Sequence, residues 1–403
     1  MKRAMSLAAL AVILGCGAAG AQQVNVKIGV LTDMASLYAD DTGIGSVIAA
    51  KMAAADFMKD HPKFKIDVVS ADHQNKADIG VQIVNQWIDV DHVDMIADVP
   101  NSGVALAIAQ VVAQKNKVFV ASGPASSDLT GPKCQPTTVH FTYDTWMLAN
   151  GTGKAIVKNG GDTWFFLTSD YAFGHALERD TMAVVKANGG KVLGAVRHPI
   201  NTNDFSSFLL QAQTSKAKII GLANAGGDTI NAIKQGSEFG IVTGGQKFAG
   251  LLVFAPDVAA LGLKTAQGLM FTETWYWDLN NGSRAWTKRW AKERNAAGKL
   301  PSMNMAGVYA GTLHYLKAVA AVGSAADGKA VVAQMKKTPT DDPLFGKGAV
   351  RADGRVIHPA YLFEVKKPEE SKYPGDLYKL RATIPAAEAF RPLKDGGCPL
   401  VSG

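Results

Sequence analysis

The chain has 403 residues, 47% hydrophobic and 19% charged, with 41 glycines and 16 prolines in no periodic arrangement. That length and composition exclude a disordered, collagen-like or coiled-coil chain and point to two or three globular cores. The formal charge of +7 comes from scattered bases with no interleaved aromatic and arginine pattern, which argues against nucleic acid as a partner.

The chain opens on a leader. Lys2 and Arg3 precede the apolar run from Leu7 to Leu14 and then Ala19-Gly20-Ala21, the three regions of a secretory signal. Cleavage is expected after Ala21, so the exported chain begins at Gln22 and carries a charge of +5, 40 basic against 35 acidic residues. Ile13-Leu14-Gly15-Cys16 loosely resembles a lipoprotein box, and anchoring at Cys16 is the alternative to simple release. With the leader gone, only Cys134 and Cys398 remain in an oxidising compartment, where they are expected to pair; two buried free thiols are the alternative.

From residue 26 a strand-then-helix unit recurs for about 250 residues, the pattern that builds parallel sheets wound on both faces. Strands are predicted at 26–33, 64–72, 93–99 and 117–122, with helices at 45–59, 76–89 and 102–115 between them. A second set has strands at 163–169, 191–198, 218–223, 247–254 and 267–274, with helices at 145–158, 173–188, 205–215 and 228–239. Sets of four and five strands fit two domains better than one wide sheet. Residues 283–337 read as helical, with 304–322 the longest amphipathic stretch, and the helices must pack back on the first set because they have no sheet of their own. The tail from 345 to 366 reads as strand and turn, with Ala352-Asp353-Gly354-Arg355 as a hairpin-like turn. The fold class is therefore α/β, two doubly wound parallel-sheet lobes joined by a multi-strand hinge. The first lobe is expected over 22–143 plus 275–343 and the second over 144–274 plus 344–380, with 381–403 as a tail tied back near the first lobe. Crossings near 143–145, 272–277 and 340–346 make a hinge that lets two lobes close on something.

In open parallel sheets ligands sit beyond the carboxyl ends of the strands, where loops and helix N-termini present free N–H groups. Those loops hold Thr32 to Asp40 with Tyr38 among polar residues, Pro100-Asn101-Ser102-Gly103, and Gly123-Pro124-Ala125-Ser126-Ser127-Asp128. On the second lobe they hold Ser169-Asp170-Tyr171-Ala172-Phe173-Gly174 and Asn224-Ala225-Gly226-Gly227-Asp228-Thr229. Each one alone reads more readily as a plain helix cap; five together point to a cleft. Three aromatics at 275–277 stand at the second crossing, where Trp275 either stacks on a ligand or, with Trp277, fills the lobe interface.

Enzymic motifs are poor. Gly236-Ser237-Glu238-Phe239-Gly240 has its serine one place early for G-x-S-x-G, and Gly43-Ile44-Gly45-Ser46 and Gly151-Thr152-Gly153-Lys154 are incomplete nucleotide loops. Dispersed histidines give no zinc spacing, so no metal and no cofactor are expected. A secreted hydrolase using Ser127 or Ser169 with His73 is the competing class, and needs a nucleophile and base in contact.

VKIGVLTDMASLYADDTGIGSVIAAKMAAADF, ADHQNKADIG, the PNSG and GPASSDLT loops, HFTYDTWMLANGTG, SDYAFG and FTETWYWDLN together resemble the type I periplasmic solute-binding proteins of ABC importers, in the branch related to Leu/Ile/Val-binding proteins. The resemblance covers nearly the whole exported chain. It implies a monomeric periplasmic receptor, not an enzyme, that closes over a small solute and delivers it to inner-membrane permease subunits; a ligand-presenting sensor is the alternative. It implies that Ser102 and Ala125-Ser126-Ser127 hold a carboxylate and an amine, and that Tyr38 and Tyr171 or Phe173 cover the solute. Asp228 is the nearest counterpart of the family's ammonium-binding acid. The implied solute is a small carboxylate-bearing one, an aromatic or other organic acid or a branched-chain-type amino acid.

Overall fold

The computed structural model describes residues 23–295 and 298–401; the expected cleavage site and Cys16 lie outside them. The alternating apolar runs form two parallel sheets. The first holds β1 (Val24–Thr32), β2 (Phe64–Asp72), β3 (Met95–Asp98), β4 (Val118–Ala121) and β5 (Thr138–His140) in the order β2-β1-β3-β4-β5. β1 pairs with β2 over its whole length, from Val24 opposite Phe64 to Thr32 opposite Asp72. β5 escapes the sequence reading because three residues are too few to show a period.

The second sheet holds β6 (Thr163–Ser169), β7 (Lys191–His198), β8 (Ile219–Ala223) and β9 (Lys247–Gly250) in the order β7-β6-β8-β9. Six further strands follow, β10 (Met270–Glu273), β11 (Thr340–Asp342), β12 (Gly346–Val350), β13 (Val356–Ile357), β14 (Ala360–Val365) and β15 (Tyr378–Ile384). β10 was expected to extend the second parallel sheet. It pairs instead antiparallel with β14, which pairs antiparallel with β15, and this small sheet joins the lobes. The expected 145–158 helix is helical throughout but contains a π-helical turn, Ala149–Gly153, packed on β10. There Gly151 has no room for a side chain, since a Cβ would lie 2.3 Å from Thr272 Oγ1.

Helix Met303–Val322 also corrects its expectation. It is buried on nearly all sides rather than amphipathic, lying between helix Gly43–Asp60 and strands β3 and β4. Glycines permit that closeness: a Cβ on Gly307 would sit 1.9 Å from Thr142 Oγ1, and one on Gly311 2.7 Å from Val120 Cγ1. Helices that are apolar all round belong inside. The hairpin of β11 to β13, which the expected boundary at 343 divided, packs as a unit against helices 303–322 and Gly328–Lys337 on the first lobe's side.

The tail is held down near the first crossing. Cys134 and Cys398 are disulfide-bonded, with Cα atoms 5.7 Å apart. Arg391 donates to the Ser127 carbonyl at 3.1 Å, and Arg351 donates to the Arg391 carbonyl at 2.7 Å. Buried Arg355 braces the crossing itself, donating to the Tyr143 carbonyl at 2.7 Å while its guanidinium lies 4.8 Å over the Phe390 ring.

Candidate solute-binding cleft

The first-lobe loops are built by local hydrogen bonds that leave little freedom. After β1, buried Asp33 accepts from the Ser36 and Tyr38 N–H groups at 2.9 Å each and from Asn75 Nδ2 at 2.7 Å. Burial raises its carboxyl, but the donors from Tyr38, Asn75 and Ser36 outweigh it and hold the group below the usual aspartate value. The fixed turn aims Tyr38 across the cleft. After β3, Asp98 and Val99 take φ of 75° and 65°, an uncommon conformation for a β-branched residue, and the strained turn delivers Pro100 to the cleft. Asn101 then caps helix Ser102–Gln114, its Oδ1 accepting from Gly103 N at 2.9 Å and Val104 N at 3.1 Å. Ser102 ties this loop to the next, its Oγ accepting from Ala125 N at 3.3 Å and Ser126 N at 3.1 Å. Both lone pairs are thus engaged, and its own O–H donates to no protein acceptor among the described residues.

The second lobe supplies Tyr171, which caps helix Ala172–Ala187, and Phe173 within its first turn. The Tyr171 and Tyr38 hydroxyls are hydrogen-bonded to each other across the cleft. Burial and the neighbouring Tyr171 raise the Tyr38 pKa, and burial likewise raises that of Tyr171, so both stay neutral O–H groups. Gly226, at φ 57°, comes so near the first lobe that a Cβ would lie 2.4 Å from the Leu37 carbonyl oxygen. Gly227 N donates to that oxygen at 3.4 Å.

These loops enclose a narrow aromatic cavity with room for about one water molecule. Tyr38, Pro100, Gly123 and Ala125 wall it from the first lobe, and Tyr171, Phe173, Ala225, Leu252 and Phe254 from the second. Tyr143 at the crossing and Asn304 at the start of the 303–322 helix complete it. No charged side chain is among these wall residues.

Of the residues singled out from sequence, the structure brings Tyr38, Ala125, Tyr171 and Phe173 together on this wall. Ser102 and Ser126 stand just behind it, with Ser126 capping the short turn Ser127–Thr130. Ser127 is turned away: its Oγ donates to Asp180 Oδ2 at 2.7 Å and accepts from Arg179 at 2.9 Å. Asn224 is occupied inside the second lobe by His198 at 3.1 Å and by the Thr229 hydroxyl at 2.7 Å. Trp275 is fully buried off the cavity, edge-on to Trp286 with ring centroids 5.6 Å apart. Tyr143, Leu252, Phe254 and Asn304 were not singled out. The first three lie where strand or crossing runs into loop with no turn residue to mark them, and Asn304 reads as helix.

Asp228 borders a second interlobe pocket, about 280 Å³, together with Asp40, Asp41 and Asp257. It accepts from Thr202 N at 2.9 Å and Asn201 N at 3.3 Å, yet burial pushes its carboxyl up to about 7. Burial also raises Asp41 and Asp257.

The hydrolase constellation does not form. Ser127 is bonded to Asp180 and Arg179, Ser169 Oγ is buried without a partner, and His73 Nδ1 accepts from Asn75 N at 2.9 Å. Neither serine contacts that imidazole.

Two sheet-bearing lobes, short antiparallel connecting strands and a cleft lined from both sides define a type I solute-binding protein. The periplasmic binding protein family model matches residues 25–372, and the chain belongs to that family. It is similar to a periplasmic binding protein of Burkholderia mallei, at 53% identity and TM-score 0.90 over 94% of this chain and 99% of that one. A branched-chain amino acid ABC transporter periplasmic ligand-binding protein of Burkholderia xenovorans LB400 is 37% identical, with TM-score 0.81 over 93% of this chain and 99% of that one. An ABC-transporter solute-binding protein of Rhodopseudomonas palustris HaA2, solved with p-hydroxybenzoic acid, shares the fold at 22% identity and TM-score 0.81, over 90% of this chain and 97% of that one. The protein is thus a non-catalytic periplasmic binding protein of the ABC-importer type.

Proposed function

We propose that the solute is a small aromatic carboxylate, captured between the lobes and handed to the permease by a monomeric receptor cleaved after Ala21. One observation carries this reading: the cavity is walled by Tyr38, Tyr143, Tyr171, Phe173 and Phe254 and by no charged side chain. A flat aromatic body suits such walls once the lobes part to admit it, and aromatic rings give both area and edge-to-face contacts. An α-amino acid would bring an ammonium group to a wall that offers no carboxylate, a costly desolvation. A carboxylate fares better, because the Ser102 hydroxyl proton and the one proton of the Tyr38–Tyr171 pair not spent on their mutual bond remain as donors. The Rhodopseudomonas fold neighbour bound to p-hydroxybenzoic acid fits the same class.

The lobes in this reading exchange near residues 143 and 274, and closure is favoured by contacts that the solute makes only when both lobes reach it. Thermal unfolding against benzoates, branched-chain amino acids and aliphatic dicarboxylates tests the reading, since a ligand at 100 times its Kd adds about 2.7 kcal/mol. A benzoate is expected to raise the Tm most; a shift with leucine or a dicarboxylate and none with any benzoate would overturn it.

A further inference from the structure

Asn304 is the second residue of the 303–322 helix, 2% exposed, and it borders the aromatic cavity. Its backbone is fixed, because Ser302 Oγ accepts from Asn304 N at 3.2 Å and Met305 N at 3.3 Å. Asn304 shares the cavity wall with Tyr143. Tyr143 already donates its proton to the Gly123 carbonyl at 2.7 Å, so that proton is not free for the amide. Oδ1 of Asn304 is a buried acceptor with no hydrogen-bond partner among the described residues.

Buried polar atoms are nearly always paired, and one left open on the wall of a binding cavity is paired by what enters. We propose that Asn304 is a specificity-determining residue whose Oδ1 accepts a hydrogen bond from a neutral hydroxyl on the solute. This rests on the aromatic-acid reading and narrows it to ring-hydroxylated acids. The donor is neutral because the wall carries no charge, the two cleft tyrosines stay protonated, and an amide oxygen gives an ammonium no countercharge. A solute lacking the hydroxyl closes the cavity over an acceptor that has lost water and gained nothing, and sites of this kind discriminate strongly against the bare analogue.

Calorimetric titration of the exported protein with 4-hydroxybenzoate, 3-hydroxybenzoate and benzoate tests this. At least one hydroxybenzoate is expected to bind about 10-fold or more tighter than benzoate. Asn304→Leu is expected to reduce that ratio to within about 3-fold, because the acceptor that tells the two solutes apart is removed. Should the variant fail to fold, the ratio in the unaltered protein still decides. Benzoate binding as tightly as both hydroxybenzoates would overturn the proposal and leave the aromatic-acid reading standing. Binding of none of the three would overturn both.

Discussion

Two pockets share the space between the lobes, on either side of the strip where Leu37 and Tyr38 meet Gly226 and Gly227, and their chemistry is opposite. The cavity on the Tyr38 side is neutral and aromatic, with protonated hydroxyls and an amide as its polar groups. The pocket on the Leu37 side is bordered by Asp40, Asp41, Asp228 and Asp257, and Lys299 pairs with Asp40 at 3.6 Å. Closure brings both together. In the proposed reading, shape and neutral hydrogen bonding select the solute on one side of the strip, while the other side gathers buried carboxylates.

The largest effect is expected where the strip itself is disturbed. Gly226→Ala places a methyl 2.4 Å from the Leu37 oxygen on a residue of positive φ. Closure should then cost about 3 kcal/mol, a loss of roughly 100-fold in affinity by calorimetry. An unchanged affinity would show that the lobes hold solute without this contact.

Next come the serines behind the aromatic wall. Ser102→Ala strips the Ala125 and Ser126 N–H groups of their acceptor and should weaken binding by about 1–3 kcal/mol. Ser127→Ala should leave affinity unaltered and lower only the Tm, since that hydroxyl is committed to Asp180. The reverse pattern would move the carboxylate site to Ser127. Tyr171→Phe removes one of the paired hydroxyls and should cost about 1 kcal/mol, with a similar loss for Tyr38→Phe and little further loss in the double variant.

The smallest expected effect belongs to the acidic pocket. Burial between the lobes holds the Asp228 carboxyl up at about 7, so this form binds a proton that an exposed aspartate releases at about 3.9. Closure is therefore favoured at low pH, and the advantage fades as pH rises through about 7. Solute affinity should fall about 3-fold between about pH 6.5 and pH 7.5, and Asp228→Asn should flatten the slope. A rise with pH instead of a fall would mean that the carboxylates meet a cation on closing.

Much of the fold is legible in the chain because strand and helix periods alternate cleanly. β2, β6 and β7 fall where expected, residue for residue. The second sheet's expected fifth strand was misplaced because β10 is short and a local pattern does not reveal whether its partner is β9 or the distant β14. At the site, loops read as polar helix starts delivered Tyr38, Ala125, Tyr171 and Phe173. Sequence could not tell which hydroxyl faces the cleft: Ser102 and Ser127 look alike until Asp180, 53 residues from Ser127, claims one of them. Phe254 and Asn304 escaped for the same reason, since an aromatic after a short strand and an amide inside a helix acquire meaning only from what lies opposite.

The 303–322 helix sets limits on how this receptor can be retuned. Gly311 lies seven positions beyond Asn304, roughly 10 Å along the rod. Its surroundings are too tight for even one added carbon. A bulkier neighbour on β4 would have to push the rod endwise or sideways, and the amide at its tip would travel with it. Preference among solutes can thus drift through substitutions that never touch a solute.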